Sequence, residues 1–401
     1  MIIPTLHGLD VRRKRVLVRV DFNVPFDEGK ISDTTRLEAA LPTVQHLVKS
    51  GARVILMSHL GRPDPENPDP MLQMSPVGTA LGTLLGQSVI TLGGCVGSDI
   101  EAHVNSMKDG EVVMLENTRF FAGEKKNDPD FSKGLAALGD LFVNDAFGTV
   151  HRAHASTVGV AELLPSYAGF LLEKEINALT PLLEHPEHPL LLIAGGAKID
   201  TKIGILKNFL DKADLFIIGG GLANTFLFAE GFDVGASLYE PNKLEVAREI
   251  MLSAEAHREK FLLPSDVIVA DEISETALTL DIPVEDVEME MKILDVGSLT
   301  VARYVEAIKE AKVIVWNGPV GLYEMTPFAR GTQIIAKAIS EATASGATSI
   351  LGGGDTIDAI RRFGHLFDEF THVSTGGGAM LEFLEGKELP GIAALKVNCV
   401  I

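Results

Sequence analysis

The sequence predicts an α/β protein built from two doubly wound parallel sheets. Three observations carry that expectation. Short apolar runs alternate with longer helical patterns almost from end to end. These runs lack strict polar alternation, as strands covered on both faces do. At 401 residues the chain is also too long for one core, so two domains are expected.

The first-half strands are read at 15–20, 53–58, 88–92, 111–115 and 140–144. Those of the second half fall at 189–195, 215–220, 266–270, 312–316, 348–353 and 371–376. Crossover helices fit the intervals 36–50, 200–212, 300–311 and 328–345, giving repeated βαβ units. Segment 168–186 places Phe170, Leu171, Leu172, Ile176, Leu179 and Leu182 in an amphipathic pattern that stops before a stretch ending at Pro189. It reads as a connecting helix (171–186) between a first lobe, 1–170, and a second, 187–388. The run 62–70, RPDPENPDP, is a loop, and 284–291, VEDVEMEM, an acidic surface segment.

Hydrophobic residues make up 46% of the chain and aromatics 6%, with 39 glycines, which suits an ordered soluble protein. With 35 basic and 55 acidic residues the formal charge is −20, which disfavours nucleic acid and anionic membrane as partners. A small anion is still allowed where arginines cluster. Cys95 and Cys399 fit no metal-ligand spacing; unpaired thiols of a reducing compartment are expected, with a disulfide as the alternative. Neither a signal peptide nor a run of about 20 apolar residues is read, so a cytoplasmic protein is expected.

The two halves end their strands differently. In the second half, LLIAGGAK, LFIIGGG, SILGGGDT and HVSTGGG finish in glycines, whose backbone lets N–H groups approach a phosphate closely. In the first half the ends are RVDFNVP, SHLGR, LENTR and VNDAFGTVHR. One half looks built to hold a nucleotide by backbone, the other to grip a small anion by side chain. Ligands of open α/β sheets bind outside these carboxyl ends.

The first-half candidates are Asp21, Asn23, Arg36, His59, Arg62, Arg119 and Arg152. Arginine forks match carboxylate and phosphate oxygens, and Asp21 suits a hydroxyl. Taken singly, each arginine reads first as a surface charge or an ion pair, and His59 as a ligand contact or a structural hydrogen-bonding group; four arginines and a histidine together at strand ends read as an anion site. In the second half, Lys198 and Lys202 stand four apart; with a helix starting near Ile199 both would crowd its positive end, a conflict that a bound anion relieves. Asp355 and Thr356, after a glycine triplet, read as Mg²⁺-phosphate contacts or as helix N-caps. Glu324 could take a ribose hydroxyl, and Trp316 reads as core. Neither a G-x-x-x-x-G-K-[ST] loop nor a G-x-G-x-x-G fingerprint occurs.

RVDFNVP, SHLGRP, LENTRF, NDAFGTVHRAHAS, AGFLLEKE, GGAK, GGGLANTFL, WNGPVGLYE, GGGDT and STGGGA together resemble the phosphoglycerate kinase family in order and spacing, over essentially the whole chain. The resemblance implies two Rossmann-like lobes around a cleft, with residues 389–401 packing back on the first. It implies a phosphotransferase acting between 1,3-bisphosphoglycerate and Mg-ADP, giving 3-phosphoglycerate and Mg-ATP, by a monomer. The seven first-half residues would hold the phosphoglycerate, and Arg36, Lys198 and Lys202 would serve catalysis. Gly196, Lys198 and Lys202 would meet the nucleotide phosphates. Gly219, Gly220, Gly221 and Ile293 would shape the adenine pocket, with Asn317 and Glu324 nearer ribose and phosphates. Gly353, Gly354, Asp355 and Thr356 would cradle phosphate and Mg²⁺ through Asp355, opposite Gly376, Gly377 and Gly378. Two departures touch the nucleotide side: Thr201 stands where the family commonly has Asp, and MEMKILDVGSL lacks the family's Trp and Pro. The rival readings are a two-lobe binding protein without turnover and a dinucleotide-dependent dehydrogenase, against which the missing fingerprint counts.

Overall fold

The computed structural model describes residues 3–27, 29–253 and 260–397. The chain divides into two compact units, Met1–Asn177 with Glu388–Ile401, and Ala178–Lys387. The first contains β1 (Arg15–Arg19), the short hairpin β2 (Phe26–Asp27) and β3 (Lys30–Ile31), helix α1 (Thr35–Lys49) and β4 (Arg53–Met57). Then follow α2 (Ser75–Leu85), β5 (Val89–Thr91), α3 (Ser98–Ser106), β6 (Val112–Met114), α4 (Pro129–Ala136), β7 (Leu141–Asn144) and β8 (Ser166–Ala168). Six of these strands form one parallel sheet in the order β5-β6-β4-β1-β7-β8.

Strand β1 lies at its centre, with Val16, Leu17 and Val18 all inaccessible to water. Helix α1 covers one face with Leu37, Ala40, Val44 and Leu47, a spacing of three and four residues that keeps one stripe inward. The polar loops after β1, β4, β6 and β7 therefore emerge along one edge of the sheet, outside its carboxyl ends.

Helix α5 (Phe170–Glu184) is one continuous helix, and the division between the units falls inside it. Its first turn is capped from another part of the first unit. Asp145 Oδ1 accepts from Leu171 N at 2.8 Å and Leu172 N at 3.3 Å, while Thr43 Oγ1 accepts from Phe170 N at 2.9 Å. Gly169 leaves room for this cap, since a Cβ there would lie 2.2 Å from Asp145 Oδ1.

The second unit runs β9 (Leu190–Ala194), α6 (Ile203–Phe209), β10 (Leu215–Ile218), α7 (Gly220–Glu230), α8 (Leu244–Ser253) and β11 (Phe261–Leu262). It continues with β12 (Asp266–Ala270), β13 (Leu280–Pro283), β14 (Lys292–Val296), α9 (Ser298–Glu310), β15 (Val313–Asn317) and α10 (Arg330–Ala344). The last elements are β16 (Thr348–Gly352), α11 (Gly354–Arg362), β17 (His372–Val373) and α12 (Gly378–Leu384). The parallel sheet has the order β11-β10-β9-β15-β16-β17. Helix α13 (Pro390–Val397) belongs to the first unit, where Gly391 N donates to Val150 O at 2.8 Å. Residues 398–401, and with them Cys399, lie outside the described residues. Cys95 is buried, and among the described residues no helix is long and apolar enough to cross a membrane.

Three strand and helix expectations need correction. The run 266–270 is not part of the parallel sheet; β12 is the centre of a separate antiparallel sheet, β13-β12-β14. Val267 and Val269 pack there with Leu227, Val234 and Val284, and Asp266 accepts from Leu299 N and Thr300 N of α9 at 2.8 and 2.7 Å. The helix expected over 200–212 starts only at Ile203, because 199–202 close a turn in which Lys202 N donates to Ile199 O at 2.8 Å. The strand expected over 371–376 pairs only at His372–Val373, and the following residues form a loop.

Asp145 is fully buried, and burial pushes its carboxyl up to about 7 against the hydrogen bonds from Thr43, Leu172 and Leu171. Its Oδ2 has no partner among the described residues, so nothing at that oxygen offsets the cost of burying a charge. The folded group keeps its proton where the unfolded one, near 3.8, has lost it. Stability from this residue is therefore complete below about pH 4 and falls as pH rises to about 7, by an amount on the order of 4 kcal/mol. Asp145→Asn keeps the acceptor and removes the titration. The urea midpoint of the first unit is expected to lose part of its decline between about pH 4 and 7 in this variant; an unaltered slope contradicts the assignment.

Candidate active site

The first unit gathers its polar residues at the ends of β1, β4, β6 and β7. Asp21 Oδ2 accepts from Arg36 Nη1 at 2.6 Å, which joins the loop after β1 to the first turn of α1. Asn23 Oδ1 accepts from Gly61 N at 2.8 Å and so fixes the loop after β4. Arg119 Nη1 donates to Gly61 O at 2.6 Å. Arg152 is exposed, with Nε donating to His151 Nε2 at 3.0 Å, and Arg62 is exposed beside Gly61.

Among the described residues, Asp21 Oδ1 and Arg119 Nε are buried polar atoms of this cluster without a hydrogen-bond partner. One is an acceptor and the other a donor, which is what a ligand bearing both a hydroxyl and anionic oxygens would satisfy. Burial alone would raise the Asp21 carboxyl, but the charges of Arg36 and then Arg19 outweigh it and hold the group below the usual range. Burial, then Arg152 and Arg19, bring Arg119 down to about 10, so it stays charged at neutral pH. His59 is held well below its usual value by burial and by Arg19, Arg119 and Arg36, against the attraction of Asp21, and is neutral. His154 is lowered to about 4 by burial, Arg19, Arg119, Arg152 and His151. Uncompensated positive charge thus accumulates at this edge of an otherwise acidic protein.

In the second unit two cavities adjoin. One of about 230 Å³ is walled by Leu238, Val267, Ile293, Val320 and Tyr323, with Gly220, Gly221 and Glu324 on its lining. The other, of about 220 Å³, is polar and walled by glycines 195, 196, 353, 354, 377 and 378 with Lys202, Asn317, Asp355 and Thr356. They share Gly196, Ala197 and Asp355. Helix α11 begins at the polar wall, so the N–H groups of its first turn and its dipole favour an anion; α7 contributes mainly its dipole, since Gly220 N and Leu222 N already donate to Val320 O and Gly196 O.

The glycines are required by contact. Gly220 has φ +62°, and a Cβ there would lie 2.8 Å from Gly196 O. Lys202 is 8% exposed, because the turn at 199–202 directs it inward, where Nζ donates to Asn317 Oδ1. Asn317 is held in turn by donating to Gly352 O at 2.8 Å. Burial brings the Lys202 ammonium down to about 8, against the opposing pull of Asp355. Among the described residues no group of three or more His, Cys, Asp or Glu side chains could hold a metal ion. A lone carboxylate facing a phosphate-sized cavity does fit Mg²⁺, which takes one or two carboxylates and completes its shell with phosphate and water oxygens.

The structure does not unite every predicted residue. Lys198 is exposed and outside both cavities, while Gly219 and Gly376 are buried behind their walls. Trp316 is wholly buried. Sequence reasoning missed Arg19, which is 1% exposed and touches His59, and Asp295, which lines the apolar cavity. Burial pushes Asp295 up to about 7, against hydrogen bonds from Gly331 N and Val296 N.

The family model for phosphoglycerate kinase matches residues 6–387. A phosphoglycerate kinase of Dictyoglomus turgidum is 51% identical over 394 residues, 98% of either chain. The structure of phosphoglycerate kinase from Coxiella burnetii superposes with a TM-score of 0.90 at 41% identity, covering 99% of this chain and 100% of that one. The enzyme from Pyrococcus horikoshii gives 0.85 at 34% identity, covering 99% of each.

An anion in the polar cavity needs Lys202 protonated. Affinity for inorganic pyrophosphate is therefore expected to fall as pH rises through about 8, by up to about tenfold per pH unit. Lys202→Arg, charged throughout, should hold it level; titration calorimetry at several pH values decides.

Proposed function

The chain belongs to the phosphoglycerate kinase family, enzymes of reversible phosphoryl transfer in glycolysis, and from that premise we propose how its two sites divide the work. The first unit holds 3-phosphoglycerate or 1,3-bisphosphoglycerate, and the second holds ADP or ATP with Mg²⁺. The observation that carries this reading is the pair of adjoining cavities in the second unit. An apolar chamber opens beside a glycine-walled polar one, which matches a nucleoside joined to a polyphosphate.

In the first unit, Asp21 Oδ1 accepts the substrate hydroxyl and Arg119 Nε donates to an anionic oxygen, so both unpartnered atoms gain partners. Arg62, Arg152 and Arg36 complete the grip through charge-assisted hydrogen bonds. Asn23 acts by holding the backbone of Gly61 in place. His59, being neutral, donates to the ligand without adding charge.

The donor is a mixed anhydride of carboxylate and phosphate, reactive enough that no enzyme nucleophile is needed. Transfer is direct and in line, from the acyl oxygen to the β-phosphate oxygen of ADP, inside a closed inter-lobe cleft that excludes water. Charge spreads over the equatorial phosphoryl oxygens in the transition state. Arg36 and Lys202 neutralise it, and Lys198 reaches the phosphates as its loop folds over the nucleotide. Asp355 would hold Mg²⁺, which would supply charge neutralisation on the nucleotide phosphates. Asn317 keeps the Lys202 ammonium directed at the reacting group.

The purified protein is expected to form ATP from 1,3-bisphosphoglycerate and ADP only with Mg²⁺. Arg36→Ala and Lys202→Ala should each lower kcat by about 10²–10³, the scale of losing one oxyanion-type donor, with a much smaller loss of ADP affinity. Unchanged kcat in both variants would sink these roles. Asp355→Ala should raise the Mg²⁺ concentration needed for half-maximal rate while leaving the affinity for 3-phosphoglycerate as it was; an unmoved Mg²⁺ requirement counts against the carboxylate.

A further inference from the structure

Beneath the arginine cluster, a carboxylate with no water access lies at the end of a chain of side chains that leads to the ligand-facing histidine. Glu124 is 0% exposed, and among the described residues its hydrogen bonds come from Ser156 and Thr118 and not from a guanidinium. Its Oε1 accepts from the hydroxyls of Ser156 at 2.6 Å and Thr118 at 3.2 Å, and its Oε2 accepts from Ser156 N at 3.0 Å. The Ser156 hydroxyl, having donated to Glu124, presents its lone pair to Arg19 Nε at 2.8 Å. Arg19 spends Nη1 on Val20 O and places Nη2 3.1 Å from His59 Nδ1.

A guanidinium has donors only, so His59 Nδ1 must accept. Asp21 Oδ1 is the other group facing that nitrogen, at 3.8 Å, too far for a hydrogen bond. The ring proton therefore sits on Nε2, which has no hydrogen-bond partner among the described residues. Without this constraint a neutral imidazole could carry its proton on either nitrogen, and in one of those forms it would turn a lone pair toward an anionic ligand.

We propose that Glu124 and Ser156 are positioning residues for the phosphoglycerate site: through Arg19 they fix His59 as the Nε2–H tautomer that donates to the substrate. The proposal rests on the reading of the first unit as the phosphoglycerate site. Each link has one orientation. The carboxylate can only accept, the hydroxyl donates one way and accepts the other, the guanidinium can only donate, and polarity is handed along without a proton leaving any group. The neighbouring titratable groups are His154, whose Nδ1 lies 3.8 Å from Glu124 Oε1, and the Cys95 thiol, which burial and then Glu124 and Glu116 hold protonated. Burial and the arginines keep His154 neutral, so neither group supplies an alternative counter-charge.

The test has two readouts. In the full-length protein labelled with ¹⁵N-histidine and free of ligand, His59 is expected to show the Nε2–H pattern, and Ser156→Ala or Glu124→Gln should convert it to a mixture of tautomers. In steady-state assays, Ser156→Ala should raise KM for 3-phosphoglycerate about tenfold, the scale of one charge-assisted hydrogen bond, with KM for ATP unchanged. Glu124→Gln, which keeps an acceptor but loses the charge, should fall between. A wild-type His59 protonated at Nδ1 overturns the proposal. So do variants that leave the His59 pattern and KM intact, or that raise both KM values alike. The ligand-free tautomer is read whether or not the protein turns over phosphoglycerate, so failure of the relay and failure of the assigned substrate are distinguishable.

Discussion

Two strand ends in the second unit approach each other so closely that no side chain can stand between them. Gly195 N donates to Asn317 O at 3.0 Å and Gly196 N to Pro319 O at 2.8 Å, which carries the β9–β15 pairing beyond the sheet. A Cβ on Gly195 would lie 2.1 Å from Pro319 O, and one on Gly318 2.2 Å from Gly195 O. The rest of the cradle depends on this backbone contact. Gly220 N donates to Val320 O at 2.8 Å and Leu222 N to Gly196 O at 3.0 Å, so the start of α7 is anchored to the same pair of loops. Asn317 sits directly beneath and receives Lys202. This close-packed backbone leaves the first-turn N–H groups of α11 for an anion, and these carry no full charge that must be desolvated when the cavity is empty.

The first unit meets the same task by another route. Its donors are guanidinium groups, several of them buried, and each needs a carboxylate or carbonyl to hold it when no ligand is present. Arg36 leans on Asp21, Arg119 on Gly61 O, and Arg19 on Val20 O, Ser156 and His59. Side-chain recognition therefore brings a supporting layer with it, and Glu124 belongs to that layer. Backbone recognition in the second unit needs mainly close packing.

Much of this was legible in the chain itself. Glycine clusters and polar residues at strand ends announce themselves because a doubly wound sheet places every such end on one edge. Direction is not written in an apolar run, so 266–270 looked like the other strands although β12 is antiparallel to its neighbours. Lys198 and Lys202 look equivalent four residues apart; only the turn that delays α6 to Ile203 separates an exposed ammonium from a buried one. Arg19 was hidden because a charge inside RVLVRV reads as the end of a strand rather than as a buried group. Glu124, followed by two lysines, reads as surface. Its burial depends on Ser156 and Thr118, which sit 32 and 6 residues away in sequence.

The positive edge of the first unit sits on a chain of formal charge −20, and that contrast bears on how an anion arrives. From bulk solution the approaching ligand faces a body of its own sign, and beyond roughly 8 Å at physiological ionic strength that repulsion is screened. Nearer than that, the arginines dominate. Salt thus acts in opposite senses on two stages of one event: added electrolyte screens the long-range repulsion that opposes encounter, while it also competes for the guanidinium forks. The ionic strength that suits capture is therefore set by the mismatch between the acidic chain as a whole and this basic rim.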